Sequence, residues 1–203
     1  MKNWTMLTLA ACGIAVAGCA TQLSDFEAER LAIAAIKSSF KSQGQAGLER
    51  LDQDEVQAAC SKYRNGLPQE LAAKITQAQL ATIKYPARLM GDWRAGERIA
   101  QSGRGKQFDD DPRSPAGGNC YACHQLAPHE LAFGTIGPSL YQFGKLRGAG
   151  ETIQRYTYGK IYNSEAYSAC SGMPRFGHNN ILTQEQIADL VALLLNPDSP
   201  VNK

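Results

Sequence analysis

The clearest hydrophobic pattern in the chain lies near its C-terminus. Four apolar residues recur there at helical spacing and would share one helix face: Ile187, Leu190, Val191 and Leu194. Thr183 and Gln186 form a capping-box pair ahead of this set, and Pro197 follows it. The pattern predicts a C-terminal helix with one face packed against a core.

Helix signals recur through the rest of the chain, whereas no alternating run is long enough to predict a strand. Ser24 with Glu27 is a capping-box pair ahead of a helix-spaced apolar set. Asp52 with Glu55 can open a second helix, and Pro68 suits the first position of a third, which we expect to end near residue 85. Two further helices are predicted, at residues 93 to 100 and 151 to 162. The sequence therefore predicts an all-α fold.

The first 18 residues, MKNWTMLTLAACGIAVAG, have the composition of an export signal peptide, with an early lysine, an apolar run and small residues. The stretch VAGC that closes this segment resembles a bacterial lipobox, which predicts an acylated Cys19 and a lipid anchor in the membrane. Ordinary cleavage after Ala-Val-Ala at residues 15 to 17 also fits. Either cleavage predicts a periplasmic protein in an oxidising compartment.

Composition narrows the choice of partners and domains. The 203 residues are 43% hydrophobic, which is enough for one core with a smaller appendage. The 21 basic and 19 acidic residues form neither a polybasic block nor an acidic tail. We therefore expect no nucleic-acid partner.

The stretch GGNCYACHQL places Cys120 and Cys123 two residues apart, with His124 directly after the second. A CxxC pair has three common uses: a redox dithiol, half of a zinc site, or covalent haem attachment. A zinc site normally needs a second Cys or His pair, and a thioredoxin-like dithiol needs a βαβ setting; neither pattern is present. The histidine instead fits haem attachment, in which two thiols bond the haem and the next side chain reaches the iron. The sequence predicts one covalent haem c.

The second axial ligand of the iron can be approached by elimination. The mature chain offers four candidates: Met90, Met173, His129 and His178. Met90 reads as a core or boundary methionine, and His129 lies only five residues beyond His124. Met173 stands in the irregular stretch CSGMPRFGHNN, where Pro174 would stiffen the backbone. This reasoning favours Met173, with His178 of the same loop as the competitor.

Gly137 and Pro138 follow the motif and have a second possible use. A rigid loop there can present its carbonyl to the outer ring nitrogen of His124, which would orient the ring. A simple turn is the alternative reading.

The order of early helix, CxxCH, Gly-Pro loop, methionine loop and C-terminal helix resembles a class I cytochrome c. More specifically, the stretches NCYACH, IGPSL, IYN, CSGMPRFG and ILTQEQIADLVALLLNPDSPVNK resemble the SoxX family, the monohaem cytochrome subunits of the SoxAX complex. The resemblance implies a class I cytochrome c fold with an N-terminal helical extension. We expect a signal peptide at 1–18, the extension at 19–90 and a cytochrome c domain at 91–203.

The resemblance also implies partners and a reaction. SoxAX is an L-cysteine S-thiosulfotransferase, in which a SoxA subunit with its own haem joins thiosulfate oxidatively to a cysteine of the SoxYZ carrier protein. A chain resembling SoxX would form a heterodimer with a SoxA-like subunit, accept the electrons and pass them to a downstream cytochrome. It would not be catalytic alone. A free-standing periplasmic electron carrier and a ligand-sensing haem protein are the alternatives.

Counting thiols leaves one further pair. Cys12 leaves with the signal peptide, Cys19 is either acylated or close to the mature terminus, and two cysteines belong to the motif. Cys60 and Cys170 remain, and leftover thiols in an oxidising compartment are commonly paired. The count predicts a disulfide between Cys60 and Cys170, with an intermolecular bridge or two free thiols as alternatives.

Overall fold

A computed structural model of the chain describes residues 23–64 and 66–203. The predicted signal peptide and Cys19 lie outside these residues. The described part contains seven α-helices and no β-strand: α1 (Asp25–Ser39), α2 (Glu55–Lys62), α3 (Gln69–Leu80), α4 (Trp93–Gln101), α5 (Phe143–Arg147), α6 (Glu151–Tyr162) and α7 (Gln184–Leu195). The all-α prediction is confirmed. No helix in the described ranges is long and apolar enough to cross a membrane.

The chain divides into two compact units, one ending at Phe40 and one running from Lys41 to the C-terminus. Helix α1 belongs to the first unit. Its predicted capping box is present, since Ser24 Oγ accepts from the Glu27 N–H and the Glu27 carboxylate accepts from the Ser24 N–H. None of its side chains is buried.

The core of the second unit is built on α7. Eight of its twelve residues are buried, and they run from Ile187 to Leu195 with only Asp189 outside the set. The predicted Thr183 and Gln186 capping box starts this helix. Because burial extends around the helix rather than along one stripe, α7 is a central element and not a surface helix.

Helix α4 packs closely against α7. The carboxylate of Asp189 accepts from the Asp92 N–H at 2.7 Å, and Gly91 N–H donates to the Ala188 carbonyl at 3.0 Å. A Cβ placed on Gly96 would lie only 2.2 Å from the carbonyl oxygen of Asp189. The absence of a side chain at residue 96 therefore permits the close crossing of these two helices.

The C-terminal residues satisfy the last carbonyls of α7. Ser199 Oγ donates to the Leu193 carbonyl at 2.5 Å, and Asn202 Nδ2 donates to the Leu194 carbonyl at 3.0 Å. The Asn202 Oδ1 atom also accepts from Gly144 N–H at 2.9 Å, which ties the tail to α5. Both polar side chains are fully buried, so these bonds replace those that water would make to the helix end.

Three helix ends differ from the sequence prediction. Pro68 is the N-cap of α3 and not its first helical residue. Helix α2 is capped by Asp54 with Gln57, not by Asp52 with Glu55, because Asp52 closes the preceding 3-10 turn, Leu48–Leu51. Helix α3 ends at Leu80, five residues early, because the Thr82 hydroxyl bonds the Gln79 carbonyl in a closing turn. Side chains such as these compete with the backbone for helical hydrogen bonds.

Residues 41–90 share one compact unit with residues 91–203, whereas the sequence predicts a boundary between residues 90 and 91. Two buried side chains of residues 91–203 bond to residues 41–90 and explain why both segments share one unit. Asn163 Nδ2 donates to Gln79 Oε1 at 2.9 Å, and the Tyr158 hydroxyl donates to the Lys84 carbonyl at 3.1 Å. These bonds attach the end of α3 and its following turn to α6.

The close crossing of α4 and α7 generates a stability prediction. Gly96→Ala places a methyl group against backbone that cannot rotate away, so we expect a loss of about 2 kcal/mol in the free energy of unfolding, after the helix propensity of alanine is included. Urea unfolding measures this loss. Gly172→Ala is the matched control, because nothing lies within 4 Å of the added Cβ and the expected change is small. Equal midpoints for the two variants would contradict the crossing.

Candidate functional site

The CxxCH motif is held at the end of α4. Gly118 N–H donates to the Ile99 carbonyl at 2.8 Å, and Asn119 N–H donates to the Ser102 carbonyl at 2.9 Å. Asn119 itself has a left-handed backbone conformation, with φ of 45°, which asparagine tolerates better than most residues. The end of α4 thereby fixes the point from which the motif begins.

The motif residues form one tight turn. The segment Cys120–Ala122 is a 3-10 turn, and the backbone N–H groups of Cys123 and His124 both donate to the Cys120 carbonyl, at 3.1 and 2.9 Å. All three chemistry-bearing side chains therefore start from a single turn of backbone. The structure places Cys120, Cys123 and His124 on one turn, and their use in haem attachment stays a prediction.

The ring of His124 is oriented by the loop that follows the motif. Its Nδ1 atom lies 2.7 Å from the carbonyl oxygen of Pro138. A carbonyl only accepts, so Nδ1 carries a hydrogen; in the neutral tautomer the lone pair is then on Nε2, the nitrogen that can bind a metal. The predicted contact between the Gly-Pro loop and the outer nitrogen of His124 is confirmed.

Gly137 permits that contact. A Cβ at residue 137 would lie 2.1 Å from His124 Cε1 and 2.4 Å from Nδ1, so only glycine fits beneath the ring. The Gly137 N–H also donates to the Cys123 carbonyl at 2.8 Å. The loop thus holds both the backbone and the side chain of the motif, which sets the ring plane before any ligand binds.

The two motif cysteines are unpaired within the described part of the chain. Burial raises the pKa of the Cys120 thiol to about 12, so this thiol stays protonated at neutral pH. A reactive redox dithiol depends on a thiolate with a lowered pKa. The environment of Cys120 therefore disfavours the redox-dithiol reading of the motif.

Met173 lies in the loop between the Ser164–Ala166 turn and α7, which we call the methionine loop (residues 167–182). Its carbonyl accepts from Ser164 Oγ at 2.5 Å, and its N–H donates to Ser171 Oγ at 3.2 Å. The Met173 side chain is half-buried and packs against the same hydrophobic core as Cys120. Both its backbone groups are thus held by serine side chains.

The other candidate ligands have different surroundings. His129 is exposed and its Nε2 atom lies 3.2 Å from the Glu97 carboxylate. Burial lowers the pKa of His178, and the Arg175 guanidinium lowers it further. Met90 packs against the core. His129 is therefore engaged by α4, whereas the choice of Met173 over His178 and Met90 stays a prediction.

The methionine loop is cross-linked to α2. Cys60 and Cys170 form a disulfide with a Cα–Cα distance of 5.4 Å, which is the pairing that the thiol count predicts. The Arg175 guanidinium makes a second link, an ion pair with Asp54 at the N-cap of α2. The disulfide joins positions that are 110 residues apart in the chain, and the ion pair joins positions that are 121 residues apart.

Arg175 is a residue whose importance the sequence reasoning missed. Its side chain is buried, with 6% relative exposure, although it carries a full charge. Burial alone raises the pKa of Asp54, but hydrogen bonds from the Gln57 N–H and from Arg175 lower it below its ordinary value. In the sequence, only its position directly after Met173 and Pro174 pointed to a role for Arg175.

Comparison with known proteins shows which family the chain belongs to. No family model matches the chain. An uncharacterised lipoprotein of Aquifex aeolicus (strain VF5) is 41% identical over 155 residues, which cover 74% of this chain and 73% of the relative. The chain belongs to the family of this lipoprotein. The relative is named as a lipoprotein, which agrees with the lipobox that the sequence predicts at Cys19.

The disulfide in this member of the lipoprotein family generates a second prediction. The bond closes a loop of 110 residues, so on the chain-entropy model the Cys60→Ser/Cys170→Ser variant should lose about 5 kcal/mol of unfolding free energy. Guanidinium unfolding measures the loss. Non-reducing peptide mapping of the wild type is the direct check, and alkylation of both thiols without reductant would contradict the bond.

Proposed function

We propose that the chain is a c-type cytochrome that carries one covalent haem. The observation that carries this proposal is the His124 geometry, in which Nδ1 donates to the Pro138 carbonyl, so that Nε2 is the ring nitrogen that would bind iron. The thiols of Cys120 and Cys123 start from the same turn and would form the two thioether bonds. When bound, the haem supplies one-electron redox chemistry.

Met173 is proposed as the second residue that would bind the haem iron. The half-buried side chain, the two serine hydrogen bonds to its backbone and the links from α2 support this choice. Two protein ligands leave no open position at an iron, so electron transfer is favoured over substrate chemistry, and methionine ligation raises the reduction potential. Residues 91–203 would then form a class I cytochrome c domain.

The proposed partner reaction is oxidative thiosulfate transfer by a SoxAX-like complex. In that reaction a carrier cysteine thiol and thiosulfate form a new sulfur–sulfur bond, releasing one proton and two electrons. This chain would take the electrons one at a time from a SoxA-like haem subunit and pass them to an acceptor cytochrome. The resemblance of CSGMPRFG and the Ser-Pro-Val-Asn ending to SoxX supports this assignment.

We place the protein in the periplasm, anchored through a lipid on Cys19. The VAGC sequence and the lipoprotein name of the Aquifex relative support this placement. An anchor on the first mature residue would hold the chain at a membrane surface. The disulfide between Cys60 and Cys170 agrees with that oxidising compartment.

The Met173 assignment predicts a specific spectroscopic loss. Met173→Ala should keep the covalent haem, which is bound through the cysteines, but lose the far-red sulfur-to-iron charge-transfer band. Absorption spectra of the oxidised protein and its intact mass check both points. Met90→Ala is the matched control and should keep the band. Retention of the band in Met173→Ala together with its loss in Met90→Ala would assign the ligand to Met90.

Carbon monoxide binding to the reduced wild type would support a ligand sensor instead.

The partner assignment predicts dependence on a second subunit. With thiosulfate and a SoxYZ-like carrier alone, this chain should not consume thiosulfate, because no thiol remains unassigned in it. Addition of the SoxA-like subunit should reduce its haem, which the absorption spectrum reports. Turnover by the isolated chain would contradict an electron-transfer role. Failure to co-purify with any larger haem protein would favour the free-standing carrier.

A further inference from the structure

Three buried polar side-chain atoms have no hydrogen-bond partner within residues 23–64 and 66–203: Tyr121 Oη, Asn163 Oδ1 and Arg175 Nη1. The Arg175 atom differs from the other two because it belongs to a group with a permanent positive charge. An unpartnered N–H on a buried cation is costly, since the charge has been removed from water. This free Nη1 therefore indicates a missing acceptor, and an anionic acceptor suits it best.

The rest of the Arg175 side chain is already held. Its Nη2 atom donates to the Asp54 carboxylate, which itself accepts from the Gln57 N–H at the start of α2. The backbone of the residue is fixed as well, because its carbonyl accepts from the Asn179 N–H at 2.9 Å. The guanidinium is thus positioned by α2 and by its own loop, and its Nη1 atom has no partner among the described residues.

The position of Arg175 suggests which anion it meets. It lies two residues beyond Met173, in the loop that we propose supplies the second iron ligand. A haem carries two propionate carboxylates, and the planar guanidinium fork can bind one carboxylate at each side. His178, the nearby alternative cation, has a lowered pKa because of burial and the charge of Arg175. Arg175 is therefore the cation available on this loop.

We infer that Arg175 binds a haem propionate through Nη1 while Asp54 holds its Nη2. This inference rests on the proposed function. Arg175 is a cofactor-binding residue in this arrangement, and Asp54 is its positioning residue. The extension would thereby reach the haem electrostatically, since α2 carries the carboxylate that balances the charge of the arginine.

The two charges predict opposite effects on the reduction potential. Oxidised haem carries one more positive charge than reduced haem, so a nearby cation favours reduction and a nearby anion opposes it. Arg175→Gln should lower the potential, and Asp54→Asn should raise it. Arg155→Gln is the matched control, because it also removes an ion-paired arginine, from an exposed pair with Glu151 on α6. The control should shift the potential far less.

The test uses the haem-loaded full-length protein at fixed pH and ionic strength. Spectroelectrochemistry gives the potentials, and resonance Raman spectroscopy gives the propionate bending band, which responds to hydrogen bonding. We expect a shifted band in Arg175→Gln and unshifted bands in Asp54→Asn and Arg155→Gln. Arg175→Lys is a second variant, in case Arg175→Gln does not fold. Lysine keeps the positive charge but lacks the planar guanidinium fork. The propionate band should therefore shift, while the reduction potential stays near that of the wild type.

An unshifted propionate band in the Arg175 variants would overturn the inference, and so would a lowered potential in Asp54→Asn. These failures differ from failure of the proposed function. A purified wild type without covalent haem, by intact mass and by its pyridine haemochrome spectrum, overturns the proposed function itself.

Discussion

The crossing of α4 and α7 is the contact on which the second unit depends. Helix α7 is the most deeply buried element, and α4 can reach it only because Gly96 has no side chain against the Asp189 carbonyl. The last residues of α4 in turn accept the backbone N–H groups that start the CxxCH loop. The position of the motif is therefore a consequence of helix packing. A change at the crossing would move the motif without touching any of its residues.

The two loops of the candidate site are held by different means. The motif loop is fixed by local contacts: the carbonyls of α4, the 3-10 turn and the Pro138 carbonyl on His124. The methionine loop is fixed by bonds to distant residues, chiefly the disulfide at Cys170 and the ion pair at Arg175. Under the proposed function this difference matters, because electron transfer favours ligands that move little between the two oxidation states. Cross-links to a separate helix add to the restraint that the loop's own hydrogen bonds provide.

The range of each interaction decides how much the sequence could predict. The capping boxes of α1 and α7 depend on residues three positions apart, so the pattern alone located both helix starts. The contact of His124 with Pro138 spans 14 residues and followed from the loop composition. The disulfide followed from counting and not from geometry. The pairing of Arg175 with Asp54 spans 121 positions, and no local pattern reports it. The end of α3 was missed because Thr82 can replace a helical bond with its own hydroxyl.

The contacts of residues 41–90 suggest what this segment adds. Two of its bonds join Gln45 and Arg50 to the backbone carbonyls of Asp110 and Lys106. Four others reach Tyr158, Asn163, Cys170 and Arg175. These four partners lie between residues 158 and 175, on the stretch that carries the proposed second ligand. The second group of contacts makes this segment a brace for the methionine loop. Under the proposed function, a brace of this kind can change the strength of the bond between Met173 and the iron. It can also change the charge near that bond while the CxxCH motif stays the same.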